Sequence, residues 1–104
     1  MNAVQLVGNL TRDPELRQTN GGDPVCQMRL AVNGSSDKDT LYIDVATFDA
    51  SAKACAEHLS KGRQVAVTGR LVYREWEAQD GSKRSGHSVI GRVEFLGGGG
   101  GNDG

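Results

Sequence analysis

The chain reads as short runs of alternating apolar and polar residues, interrupted once by a helical spacing and closed by a glycine run. From Asn2 to Leu10, Val4, Leu6, Gly8 and Leu10 share one parity, the two-residue period of a strand with one face on a core. Gly8 has no side chain to pack, so it marks a bulge or sharp bend of the kind a closed barrel needs. Asp13-Pro14 ends that ladder, because proline has no N–H to donate, and Glu15 to Gln18 is able to resume it. After a turn at Asn20-Gly21-Gly22, Val25 to Asn33 gathers Cys26, Met28, Leu30 and Val32 on one face. Following the polar connection Gly34 to Thr40, the third strand, Leu41 to Phe48, gathers Leu41, Ile43, Val45 and Thr47. Its other face carries Tyr42, Asp44, Ala46 and Phe48.

Between Asp49 and Gly62 the period changes. Ala52, Cys55, Ala56 and Leu59 fall at i, i+3, i+4 and i+7, with Asp49 or Ser51 as N-cap and Lys61-Gly62 as a C-terminal stop. So small a stripe suits a helix that lies close on a sheet or plugs a barrel end. Lys61 to Arg92 then reads as two strands joined by a long basic hairpin that turns at Asp80-Gly81. Val65, Val67, Gly69, Leu71 and Tyr73 take one parity, and Thr68, Arg70, Arg74 and Trp76 the other. The last strand, Ser88 to Leu96, turns Val89, Val93 and Phe95 to one side.

The order β-β-β-α-β-β, with one helix between the third and fourth of five strands, predicts an all-β Greek-key barrel of the OB type over residues 1–96. Residues 97–104 hold six glycines and cannot bury enough to fold, so a disordered tail is expected there. A chain of 104 residues makes one small domain, with room for a modest core but little for a deep catalytic cleft. Cys26 and Cys55 fall on strand and helix positions and read as buried, reduced thiols. With no leader and no apolar run long enough to span a bilayer, a cytoplasmic, nucleoid-associated protein is expected.

The net charge of −1 hides a segregation. Residues 1–60 carry five Lys or Arg against eight Asp or Glu, and residues 61–92 carry seven against three. With only 5% aromatic residues, each ring off the core face needs a reason. Trp76 shares a face with Arg70 and Arg74, with Lys83 and Arg84 just past the turn and Lys61 at the hairpin's start. Rings set between cations suit a flat, negatively charged partner, and a nucleic-acid strand with unpaired bases fits that description. The hairpin alone leaves a second reading open, in which Trp76 caps the core and the basic residues solvate an edge. Catalysis finds little support. His58 and His87 are the only histidines, neither in a metal-ligand spacing, and no nucleophile or phosphate-loop motif occurs, so no enzyme, metal or cofactor is expected.

The run from Asn2 to Arg17 closely resembles the opening of bacterial single-stranded DNA-binding proteins. The likeness continues through Leu30-Ala31-Val32-Asn33, Leu59 to Val65, Val67 to Leu71, and Trp76 with Asp80-Gly81, and so covers residues 1–96. The resemblance implies a non-catalytic OB-fold subunit, usually a homotetramer, that binds single-stranded DNA with little sequence preference. It also implies base stacking on Tyr42, Phe48 and Trp76. Three features depart from the family's pattern. The connection Gly34 to Thr40 is short and has no aromatic residue; Asp44 and Glu75 stand among the expected contacts; and the acidic tip that recruits replication and repair proteins has no counterpart in Gly-Asn-Asp-Gly. A second reading is an OB-type accessory protein of a primosome or mobile element, acting mainly through protein contacts.

Overall fold

The computed structural model describes residues 1–34 and 36–96; the expected glycine tail lies outside the described residues. The elements in chain order are β1 (Val4–Leu10), β2 (Glu15–Gln18), β3 (Pro24–Val32), a 3-10 turn (Asp37–Asp39), β4 (Leu41–Phe48), α1 (Asp49–His58), β5 (Gln64–Glu77) and β6 (Lys83–Phe95). The strands form one sheet in the order β1-β5-β6-β4-β3-β2, and β1 also pairs with β3. That last pairing closes β1, β5, β6, β4 and β3 into a five-stranded OB-type barrel. All pairings are antiparallel except β4 with β6, which join across the helix crossover.

The expected first strand is split. β1 reaches β3 only at Asn9↔Ala31 and Leu10↔Leu30; the chain breaks through Arg12 to Pro14, and β2 continues along β3 at Leu16↔Cys26. Gly8 lies where β1 swings from β5 onto β3. A Cβ there would overlap the Ala31 carbonyl oxygen, so the barrel closes only over a glycine.

The inner parities meet as the repeating pattern requires. Leu10, Cys26, Met28, Leu30, Val45, Val65, Val67 and Val89 fill the barrel, and Ala52, Cys55 and Leu59 of α1 stop one end. Both cysteines are free and buried, and burial, with Cys26 nearby as a lesser cause, pushes the Cys55 thiol up to about 11. The helix start differs from expectation. No side chain caps it, and Asp49 takes φ 60 while Phe48 before it is still extended. Aspartate is one of the few residues that tolerate this left-handed conformation, which turns an outward-facing strand residue directly into an inward-packing helix. Leu59 N–H bonds to the Cys55 carbonyl at the other end, and Gly62 follows only in the turn that leads to β5.

Core parity also fails where the ladder outruns the barrel. Leu41, Leu71, Tyr73 and Phe95 occupy inner positions by alternation, yet each lies at a strand end or on the hairpin and is exposed. The change on β5 comes at Leu71. The last β1 to β5 pair is Val4↔Gly69; two residues on, the Asn2 side chain accepts from Leu71 N–H (2.9 Å) and donates to its carbonyl (2.8 Å). Beyond that carboxamide bridge, Val72–Glu77 pairs with β6 alone, and β6 meets β4 only at Ser88–Ile90. A two-stranded ribbon therefore projects from the barrel, closed by a turn in which Gly81 adopts φ 86.

Candidate nucleic-acid interface

The register places the outward side chains of four strands in rows. One row runs Val72, Ser88, Asp44, Arg29, and its neighbour runs Arg70, Ile90, Ala46, Gln27. Since Val45, Met28 and Val89 between them point into the core, these rows form the outer face of the barrel. Trp76 rises at the edge of this face on the projecting ribbon, 46% exposed and outside the core cluster, which removes the core-cap reading. The Arg74 guanidinium carbon stands 5.8 Å from the Trp76 ring centroid, within cation–π range. The ring lies beside Gly86 of the facing strand, where a Cβ would come within 3.6 Å of Trp76 Cη2.

From Trp76 and Arg74 a hollow of about 340 Å³ crosses the sheet to Arg12 and Arg17, over Gln27, Asp44, Ala46 and Ser88. It combines one open aromatic ring with three guanidinium groups and several hydrogen-bonding side chains. Guanidinium matches phosphate geometry, and an exposed indole offers a stacking surface to any base. Arg12 and Arg17 were not among the residues singled out from the sequence. Alternation cannot reach them, because the break at Asp13-Pro14 resets parity and only the β2 to β3 pairing brings Arg17 opposite Val25.

The other expected residues divide. Tyr42 is exposed on the outer face, with the Arg29 guanidinium 5.8 Å from its ring. Phe48, 37% exposed, pairs with Val25, whose other neighbour is Arg17. Arg70 stands on the same face opposite Ile90. Arg84 is opposite Trp76 but engaged with the turn, its Nε donating to Ser82 Oγ at 3.2 Å with Asp80 at 3.9 Å. Hydrogen bonds from the Ser82 hydroxyl and then its N–H hold the Asp80 carboxyl below its usual range. Lys83 pairs with Glu77 at the opposite parity from Trp76, yet both line a second hollow of about 360 Å³ on the ribbon, with Glu75 and Arg84. Lys61 sits at the barrel end, where its backbone N–H donates to Asp13 at 2.8 Å, outside the hollow.

Glu75 has the same parity as Lys83 and lines that second hollow too. It shares the reverse face of the ribbon with Tyr73 and His87; the Tyr73 hydroxyl donates to it at 2.9 Å, and the Tyr73 and His87 rings are 5.1 Å apart. It does not line the first hollow, whereas Asp44 does. Among the described residues no group of three His, Cys, Asp or Glu is placed to hold a metal ion, and no helix is long and apolar enough to cross a membrane.

Comparison with known proteins places this surface in context. The Single-strand binding protein family matches residues 1–96, all of the barrel and its ribbon. A protein of Wolinella succinogenes named single-stranded DNA-binding protein is 40% identical over 95 residues, covering 85% of this chain and 59% of the relative. One of Clostridium perfringens with the same name is 41% identical over 92 residues, covering 86% and 61%. Single-stranded DNA-binding protein 2 of Chlorobaculum tepidum is 37% identical over 105 residues, covering 92% and 71%. The chain thus spans somewhat over half the length of the Wolinella relative. With the match running from the first residue of the barrel to the last, through the split first strand and the projecting ribbon, the chain belongs to the single-strand binding protein family.

Proposed function

We propose that this domain binds single-stranded DNA with little regard to sequence and protects it during replication, recombination and repair. The observation that carries the reading is Trp76, an exposed indole beside Arg74 at the head of a hollow whose far end holds Arg12 and Arg17. Stacking supplies contact energy that any base provides, and the guanidinium groups supply the salt-dependent attraction to phosphate. Tyr42, Phe48 and Arg70 extend the same face; Lys61, Lys83 and Arg84 contribute through the general field. The names of the relatives support the substrate class.

The test uses Trp76 itself, the only tryptophan. Titration with oligo-dT should quench its fluorescence strongly, with an affinity that falls as salt rises. An indole that does not respond to oligo-dT would refute the reading and favour the accessory-protein alternative.

Assembly into a homotetramer belongs to the same proposal. β1 pairs with β5 from Val4 to Asn9 but with β3 only at Asn9 and Leu10, which leaves most of its second edge unpaired, with Val7 51% exposed beside it. Open edges favour self-complementary pairing with a second copy about a two-fold axis. Light scattering should give four chains per particle, and a concentration-independent monomer would overturn this part.

A further inference from the structure

Asp44 is the one carboxylate among the residues lining the hollow across the sheet, and it is engaged. Arg29, its partner across the β3 to β4 ladder, places Nη1 3.0 Å from Asp44 Oδ1. The same guanidinium stands 5.8 Å from the centroid of the Tyr42 ring. Arg29 is therefore held between an anion and an aromatic face, in the free protein, on the outer face of the sheet beside the hollow that Asp44 lines.

We propose that Asp44 is an internal stand-in for a DNA phosphate. It parks Arg29 against Tyr42 while the site is empty and gives Arg29 up when a strand binds. This rests on reading the face as a single-strand site. Both partners are about half exposed, 42% and 56%, and an ion pair open to solvent exchanges partners at little cost. A phosphate matches the planar fork of guanidinium at least as well as a carboxylate does. Release of Arg29 also uncovers the side of Tyr42 that it screens. The device makes the site weaker and quicker to empty than its count of arginines implies, which suits a protein that must leave DNA as other factors arrive.

A double-mutant cycle in oligo-dT binding tests it: the parent, Asp44→Asn, Arg29→Ala, and the two together, each titrated from 0.1 M to 1 M salt. Asp44→Asn removes the exposed pair that binding must break, a cost of up to about fivefold, so it should bind severalfold tighter at 0.1 M, with the gain fading toward 1 M as salt screens that pair. Dissociation in stopped flow should slow by a similar factor. If the pair opens on binding, the two substitutions are non-additive by about threefold or more, since the interaction exists in only one of the two states. Binding by all four proteins with additive effects means the pair stays closed, and the stand-in role fails while the DNA-binding reading survives. No binding by any of the four overturns both.

Discussion

The β5 to β6 ladder runs from Val65↔Phe95 to Glu77↔Lys83, and its two halves differ in what covers them. In the barrel half, Val65, Val67 and Val89 are essentially buried, and a neighbouring strand flanks each side of the ribbon. In the projecting half the same alternation continues, but Tyr73 and Trp76 stand on opposite faces and both are exposed. Identical backbone pairing thus serves two ends. Where the inner face is covered its side chains set stability, and where neither face is covered both are available to a ligand.

The contrast is most severely tested by separating stability from affinity. Met28→Ala, at a residue 1% exposed inside the barrel, should cost about 2–5 kcal/mol of folding stability. The protein that remains folded should bind oligo-dT like the parent. Trp76→Ala should do the reverse. Loss of one stacked base is worth about 1–3 kcal/mol, or roughly 5-fold to 150-fold in affinity, with the melting temperature unchanged. Tyr42→Ala should fall in the same range. Phe48→Ala should weaken binding and also lower stability, because it precedes the left-handed turn into the helix. A Trp76→Ala protein that melts early and keeps its affinity would erase the distinction between the two halves.

Smaller effects sharpen it. Arg17→Ala and Arg74→Ala should each lower the salt slope by about 0.7, while Lys83→Ala and Glu75→Gln, on the reverse face, should change affinity by less than about twofold. Equal effects from the two faces would mean that net charge, not the hollow, attracts DNA. The last test belongs to the helix that stops the barrel. Cys55 should resist thiol reagents at pH 8 until the protein unfolds, because burial keeps it protonated to about 11. Unfolded cysteine ionises near about 8.5. The stability contributed by its burial is thus complete below that pH and declines as pH rises toward the folded value, which denaturation midpoints measured from pH 7 upward would register.

The sequence carried the barrel well because alternation and core burial are the same fact wherever one face is covered. Val65, Val67, Cys26, Met28 and Leu30 could be read directly. It carried the three outward rings for the same reason. Parity became uninformative at Leu71 and Tyr73, since nothing in the residues marks where a strand leaves the sheet beneath it. Lys83 and Glu75 take the other parity of the ladder from Trp76, a difference that nearness in the chain does not show, and all three still line one hollow on the ribbon. Arg12 and Arg17 were hidden by the opposite difficulty, because their place depends on a pairing that forms only after the chain has broken and resumed.

The carboxamide of Asn2, bridging both backbone groups of Leu71, fixes the root of a cantilever. Beyond it Val72 is still held through Ser88, which β4 flanks at Asp44, so the unsupported length is the run from Tyr73 to Glu77, about five residues or roughly 17 Å. The stiffness of such a beam depends steeply on its free span, so the position of the clamp decides how far the indole near the tip can swing. One amide side chain at the start of the protein and the β4 to β6 pairing together set the root for a ring that lies far along the chain.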